Sequence, residues 1–112
     1  MNFAITLKSN GTLVGGVSVD LNQTDEHGEL GYYIGKPYWN NGYATEATQA
    51  VIRYSFEMLG LRRVFDAHIA RNPASGRVMQ KAGMTYEGCL GQHVKKWDAF
   101  EDMMYYGIIR ED

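Results

Sequence analysis

The stretch that decides the fold reads Trp39-Asn40-Asn41-Gly42-Tyr43-Ala44-Thr45. It follows a β-rich run, residues 29–34, and precedes an amphipathic stretch, residues 43–59, so it joins a predicted strand to a predicted helix. The first amides of a helix have no partner inside the helix, and the helix dipole places partial positive charge there. Because Gly42 and Ala44 let a ligand approach the backbone closely, this loop is typical of a phosphate-binding site.

The loop also fits two other interpretations. Asn-Gly is a common turn between a strand and a helix, with no ligand needed. A nucleotide-binding regulator of another class could use the same phosphate-friendly turn. The loop has neither the Gly-Lys-Ser/Thr of a Walker A sequence nor a G-x-G-x-x-G fingerprint.

The chain on either side alternates between strand and helix patterns, in the order strand, strand, strand, helix, strand, helix, strand, strand. The first two strands are predicted at residues 3–8 and 12–21, because Asn10-Gly11 between them is a hairpin turn signal. Gly15-Gly16 inside the second strand indicates a bulge or a close backbone approach. A polar turn over residues 20–28 leads to the third strand at residues 29–34.

Two helices and three strands follow. The first helix is predicted over residues 43–59, before Gly60, with an inner stripe of Ala44, Ala47, Val51, Tyr54, Ser55 and Met58. A strand at residues 63–70 precedes a second helix, which begins at Asn72-Pro73, with Asn72 as the N-cap, and ends before Gly83. The last strands are predicted at residues 84–93 and 102–109, with a turn over residues 95–101.

This order predicts the fold class. A strand, a helix and a further strand imply a right-handed crossover and a parallel strand pair, whereas the flanking hairpins imply antiparallel neighbours. We therefore predict one α+β domain over residues 1–112, with a mixed, mostly antiparallel sheet, a central parallel strand pair and two main helices.

The composition excludes several classes of partner. A net charge of −2 provides no basic face for nucleic acid, and no apolar run is long enough to cross a membrane. The first residues lack the pattern of a signal peptide, and the single cysteine, Cys89, fits a reducing compartment. We therefore expect a cytoplasmic protein with no metal site and with neither a nucleic-acid nor a membrane partner.

A second segment carries chemistry only in combination with the loop. It contains Asn72, Ser75, Val78, Lys81 and Gly83, and each residue alone has a structural interpretation. Asn72 fits a helix cap, the Ser75 hydroxyl fits a bond to backbone, and Lys81 fits the negative end of the helix dipole.

Together the two segments resemble the GNAT superfamily of N-acetyltransferases, and within it the RimJ/RimL-like branch. The pyrophosphate loop of the superfamily reads Gln/Arg-x-x-Gly-x-Gly/Ala, and this chain has Trp39-x-x-Gly42-x-Ala44 followed by Thr45-Glu46-Ala47. The later signature of the branch, Asn-x-x-Ser-x-x-Val-x-x-Lys-x-Gly, matches the second segment at every position. Residues 29–35, Glu87-Gly88 and Asp102-x-x-x-Tyr106 fit the branch too, so the resemblance covers nearly the whole chain.

The resemblance implies acetyl-CoA as the cofactor, held between two splayed parallel strands, here residues 29–34 and 63–70. Its pyrophosphate is expected on the amides of residues 41–45, namely Asn41, Gly42, Tyr43, Ala44 and Thr45. Its pantetheine is expected to pair with backbone near Tyr33 and Ile34, and Asn72 to steady the cofactor or the strand opening.

The resemblance also implies direct attack of an amine on the thioester, which needs a base, an oxyanion stabiliser and an acid for the thiolate. A backbone N–H near Ile34 would stabilise the oxyanion. The tyrosine acid of many members falls on Met79 here, so Ser75 is the candidate acid. The candidate glutamate of the branch falls on Val94, which leaves His93, Glu29 or a water molecule as the base.

Acceptors in this branch include protein N-termini, ribosomal ones among them, and small amines. Complete domains of this kind begin with a strand and two helices that form much of the acceptor wall, and this chain begins at the hairpin after them. An exposed sheet edge would remain, so we expect a homodimer or higher oligomer. The missing wall, Met79 and Val94 also favour an alternative: a catalytically weak or inactive acyl-CoA-binding or interaction module.

Overall fold

The computed structural model describes residues 1–111. Within this part of the chain the strands are β1 (Asn2–Thr6), β2 (Leu13–Asn22), β3 (His27–Ile34), β4 (Arg63–Ile69), β5 (Thr85–Lys96) and β6 (Ala99–Ile109). The helices are α1 (Tyr43–Glu57) and α2 (Pro73–Lys81), with a short 3-10 helix at Lys36–Tyr38. The strands form one sheet in the order β1-β2-β3-β4-β6-β5, in which β3 and β4 are parallel and the other neighbours antiparallel. The predicted α+β class is therefore confirmed.

The parallel pair at the centre of the sheet is splayed. β3 and β4 pair at three positions, the last of which joins Glu29 to Phe65. Each strand stays attached to its outer neighbour beyond this point, because β2 pairs with β3 as far as Ile34 and β6 pairs with β4 as far as Ile69. The two strands therefore separate towards their carboxyl ends, as the resemblance implied.

The hydrophobic core lies between the sheet and both helices, which pack on the same face and against each other. Val19 of β2 and Val64 of β4 are fully buried there, beside Leu30 of β3 and Met79 of α2. The opposite face of the sheet carries no helix among the described residues. No helix within residues 1–111 has the length and apolar character needed to span a bilayer.

The predicted inner stripe of α1 is wrong in part. The buried residues of this helix are Thr48, Val51, Ile52 and Ser55, which follow helical spacing, and Met58 is 69% exposed. Met58 lies at the C-cap, beyond the sheet surface that the helix covers. The helix ends two residues earlier than predicted, at Glu57.

The predicted turn over residues 95–101 is also wrong. β5 continues to Lys96 and β6 begins at Ala99, so a two-residue turn formed by Trp97 and Asp98 joins them, with Trp97 in the left-handed region at φ 56°. The end of this hairpin is exposed on both faces. Its strands therefore lack the alternation of apolar and polar residues that identifies a half-buried strand.

Gly15 of β2 marks a close backbone approach, as the sequence indicated. A Cβ atom at this position would overlap the carbonyl oxygen of Tyr33 in β3.

We expect Gly15→Ala to destabilise the fold by about 2 kcal/mol or more, because the backbone of β3 has to move. Urea unfolding measures this cost. The matched control is Gly91→Ala in β5, where the nearest atom to a new Cβ is 3.8 Å away. Equal unfolding midpoints for the two variants would contradict the prediction.

A cleft between the end of β3 and the helix starts as candidate active site

A cleft of about 590 Å³ opens beside the part of β3 that has separated from β4. Its walls are the end of β3, the loop before α1, the first turn of α1 and one side of α2. All nine residues that the sequence predicted as cofactor contacts line this cleft: Tyr33, Ile34, Asn41, Gly42, Tyr43, Ala44, Thr45, Asn72 and Ser75. The two sequence segments, which are separated by 26 residues of the chain, thus face a common space.

Two side chains fix the shape of the loop. The indole N–H of Trp39 donates to the carbonyl oxygen of Ile34 at 2.7 Å. The amide of Asn41 donates to the carbonyl oxygens of Tyr38 and Trp39, both at 3.1 Å. Both side chains are directed back onto the loop, so neither of them caps the helix that follows.

The start of α1 therefore presents free amides to the cleft. Gly42 is the N-cap, in the left-handed region at φ 76° and ψ 5°, and it supplies no side-chain cap. Within the described residues no protein group accepts a hydrogen bond from the amides of Tyr43, Ala44 or Thr45. Nothing lies within 4 Å of the position of a Cβ at Gly42. This geometry leaves both the donors and the space that an anionic group needs.

The opposite wall belongs to α2. Pro73 begins the helix, as predicted, but Asn72 makes no side-chain capping hydrogen bond although it occupies the N-cap position. The predicted N-cap position of Asn72 is therefore confirmed, but its side chain does not cap the helix, and Asn72 lines the cleft. Arg77 and Lys81 line the same wall, and no Asp or Glu lines the cleft within the described residues. In a chain of net charge −2, this gives the cleft a local positive character.

Tyr32 lines the inner end of the cleft, and the sequence analysis did not select it. Its pKa is raised by burial, while hydrogen bonding to the Ser75 side chain acts in the opposite direction and the charge of Asp66 adds to the increase. The signal that identifies Tyr32 is strand alternation, because Tyr32 lies on the same side of β3 as the buried Leu30. Tyr32 and Ser75 thus place two hydroxyl groups at the inner end of the cleft.

Asp66 of β4 is a buried carboxyl group, 6% exposed, near this inner end. Burial raises its pKa to about 7. A hydrogen bond from the Ala67 amide at 2.7 Å opposes this increase, and the charge of Glu29 adds to it. A carboxyl group with this pKa carries a proton in a substantial fraction of molecules at neutral pH.

Two residues near α2 belong to the core rather than to the cleft. Met79, at the position of the tyrosine acid in many family members, is 2% exposed and does not line the cleft. His68 is buried as well: its Nδ1 lies 2.7 Å from the carbonyl oxygen of Ile69, and its ring stacks on Tyr106. His68 is therefore a packing residue of the core.

The two candidate bases lie outside the lining of the cleft. Glu29 is exposed on the helix-free face of β3, at the last paired position before the strands separate. His93 is exposed on β5, where its ring contacts Tyr105 edge-on at a centroid distance of 6.1 Å. Of the three predicted catalytic residues, Ser75 is the one that the structure brings together with the predicted cofactor contacts.

Comparison with known proteins agrees with this geometry. The family model described as acetyltransferase (GNAT) domain matches residues 1–85. N-acetyltransferase YnaD of Bacillus subtilis is 34% identical over 111 residues, which cover 98% of this chain and 65% of that protein. The ribosomal-protein-serine acetyltransferase of Escherichia coli is 30% identical over 98 residues, which cover 87% of this chain and 55% of that protein.

Solved structures show the same similarity. A GNAT-family acetyltransferase from Bacillus anthracis superposes with a TM-score of 0.91 at 32% identity, over 96% of this chain and 65% of that one. Spermidine N-acetyltransferase SpeG from Vibrio cholerae shares the fold, with a TM-score of 0.88 at 20% identity, over 96% of this chain and 64% of that one. The chain spans less than two thirds of the length of these relatives. On the family model, the relatives and the splayed sheet, this chain belongs to the GNAT acetyltransferase family.

Proposed function

We propose that this chain is an acetyl-CoA-dependent N-acetyltransferase that transfers an acetyl group to a primary amine by direct attack. Acetyl transfer to amines is the general reaction of the family. The observation that carries the proposal is the cleft, which combines both sequence segments and unpaired helix amides with two cations, and which no carboxylate lines in the described part of the chain. We place the reaction in the cytoplasm, a compartment that keeps the exposed free thiol of Cys89 reduced.

The residues of the cleft fit acetyl-CoA, which supplies the acetyl group as a thioester. The amides of Tyr43, Ala44 and Thr45 are free to donate to a pyrophosphate, and Gly42 leaves room for it. The end of β3 offers its backbone to an extended pantetheine chain, since β4 has moved away from it. Asn72 and Ser75 face the same space from α2.

Ser75 is the proposed proton donor to the leaving thiolate. We expect Ser75→Ala to lower kcat by about 100-fold, because the donor to the developing charge is lost. The Kd for acetyl-CoA should change by less than about 3-fold, because the amides at the start of α1 remain. Steady-state thiol release measures kcat, and Ser9→Ala in an exposed turn is the control. An unchanged kcat in Ser75→Ala would show that the hydroxyl has only a structural role.

The proton of the amine goes to Glu29, to His93 or to a water molecule. Glu29 lies closest to the opening, because it occupies the last paired position of β3. The pH profiles of kcat/KM for Glu29→Gln and His93→Gln distinguish these groups: the variant that loses the acidic limb identifies the base, and two unchanged profiles indicate water.

The acceptor is proposed from the relatives. One is named as an acetyltransferase of a ribosomal-protein serine and another as a spermidine N-acetyltransferase. We propose a protein N-terminus or a small amine as the acceptor. The test is thiol release from acetyl-CoA with peptides that begin with serine and with polyamines. Release with at least one amine, above the rate of hydrolysis, supports the transferase.

A second candidate function is an acyl-CoA-binding module with little or no turnover. It is favoured by Met79, which is buried where many members carry an acid, and by the position of both candidate bases outside the cleft. Saturable binding of acetyl-CoA without thiol release from any amine would establish this function.

We also propose that the chain forms a homodimer or higher oligomer. β1 is an edge strand of the sheet, and its residues are exposed or half-buried. An unpaired edge of this kind favours strand pairing between copies. Sedimentation at micromolar concentration tests the proposal, which a uniform monomer would overturn.

A further inference from the structure

Among residues 1–111, the cationic residues that line the cleft are Arg77 and Lys81. They are four residues apart on α2, so they lie on successive turns of the same helix side. Both are exposed, and neither forms an ion pair within the described residues. Since no carboxylate of residues 1–111 lines the cleft, the charge of both side chains is available to a ligand.

The order of groups along α2 indicates which part of a ligand these cations meet. Ser75 lies at the inner end of the cleft beside Tyr32, and Lys81 is six residues further along the helix, roughly 9 Å away along its axis. The carbonyl oxygen of Lys81 accepts a hydrogen bond from the side chain of Gln49, at 3.1 Å. Gln49 lies beyond the first turn of α1, so Lys81 lies beside α1 beyond the turn that carries the free amides, and away from Ser75.

The start of α1 and the cationic side of α2 offer different chemistry to phosphates. The helix amides are neutral donors, which suit the diester charges of a pyrophosphate. A phosphate monoester carries about −1.5 to −2 charges near pH 7 and pairs preferentially with Arg and Lys. In CoA the sole phosphate monoester is the ribose 3′-phosphate, and it lies on the far side of the pyrophosphate from the thiol.

We infer that Arg77 and Lys81 bind the ribose 3′-phosphate and make the cleft select CoA over dephospho-CoA. This inference rests on the proposed function, because it names the residues that recognise one group of the same cofactor. The C-terminal half of α2 then determines which ligand binds, a role that is separate from the chemistry at Ser75.

The test is calorimetric titration of the purified chain with CoA and with dephospho-CoA, which lacks the 3′-phosphate. We expect CoA to bind about 10-fold tighter or more at low salt, with a ratio that falls as salt is added. In Arg77→Gln/Lys81→Gln the ratio should fall to near 1, and the Kd for dephospho-CoA should stay within about 3-fold of the original value. The control is Lys8→Gln/Arg53→Gln, which removes the same charges from exposed positions outside the cleft.

Three results would overturn the inference. Equal affinity of the original chain for both ligands would show that the 3′-phosphate is not recognised, while the proposed cofactor binding would stand. An equal loss of affinity for both ligands in the double variant would assign the cations to the pyrophosphate. Absence of binding by either ligand at millimolar concentration would reject the proposed function itself.

Discussion

Replacing Gly42 with leucine is expected to raise the Kd for acetyl-CoA by about 100-fold or more. Gly42 lines the cleft next to the three free amides, and the space around its Cα is open. A leucine side chain occupies the space that the phosphates need. The loss of one or two charge-assisted hydrogen bonds, each of about 1.5–3 kcal/mol, accounts for this change in Kd.

The control for this prediction is Gly60→Leu. Gly60 follows α1 at φ 67°, close to the φ of 76° at Gly42, and a Cβ there also meets no atom within 4 Å. Both variants carry the same backbone strain, about 1–2 kcal/mol for a left-handed residue with a side chain. Both should therefore unfold at a similarly reduced urea concentration, and only Gly42→Leu should lose binding. A Kd for Gly42→Leu within about 3-fold of the original would show that the loop is not part of the binding site.

The second large effect concerns Asp66 and pH. The folded state raises the pKa of this carboxyl group from 3.8 to about 7. The folded protein therefore binds this proton more tightly than the unfolded chain does. The resulting stabilisation, about 4 kcal/mol, is complete below pH 4 and is lost as the pH rises through about 7. Asp66 thus makes the fold less stable at pH 8 than at pH 5.

Asp66→Asn should remove this pH dependence. Asparagine keeps the oxygen that accepts the Ala67 amide, at 2.7 Å in the original chain, and carries no charge at any pH. At pH 8 we expect the variant to be more stable than the original by about 2–3 kcal/mol, since burial of the new amide donors costs about 1 kcal/mol. At pH 5 the two should differ by less than about 1 kcal/mol.

Urea unfolding from pH 5 to pH 8 measures the free energy of unfolding of both proteins. Subtracting the value of the original chain from that of the variant removes the contribution of the other titrating groups, which both proteins share. Asp20→Asn, an exposed carboxylate on β2, is the control and should leave the profile unchanged. A difference between Asp66→Asn and the original chain that stays constant from pH 5 to pH 8 would show that the fold does not raise the pKa of Asp66.

The sequence predicts the cleft well where local chemistry decides the structure. Gly42 provides the left-handed backbone just before α1, and Pro73 favours the start of α2. The start of each helix that walls the cleft can therefore be located from residue type alone. The splay of β3 and β4 was accessible only through the resemblance, because spacing shows that two strands are parallel but not how far they pair.

Other features depend on contacts that the sequence does not show. Strand alternation in β4 separates Asp66 and His68 from Phe65, but it does not reveal that the polar pair faces the helices. That choice follows from α2, which covers this side of β4 and buries both polar residues. Glu29 lies outside the cleft because it faces the helix-free side of the sheet. His93 lies outside it because β5 is the edge strand beyond β4 and β6.

The cleft between the end of β3, the start of α1 and one side of α2 is the proposed binding site for acyl-CoA. The deciding experiment is calorimetric titration of the chain with acetyl-CoA at neutral pH. We expect saturable binding of one acetyl-CoA per chain, with a micromolar Kd. No saturable heat at millimolar acetyl-CoA would show that this cleft does not bind acetyl-CoA.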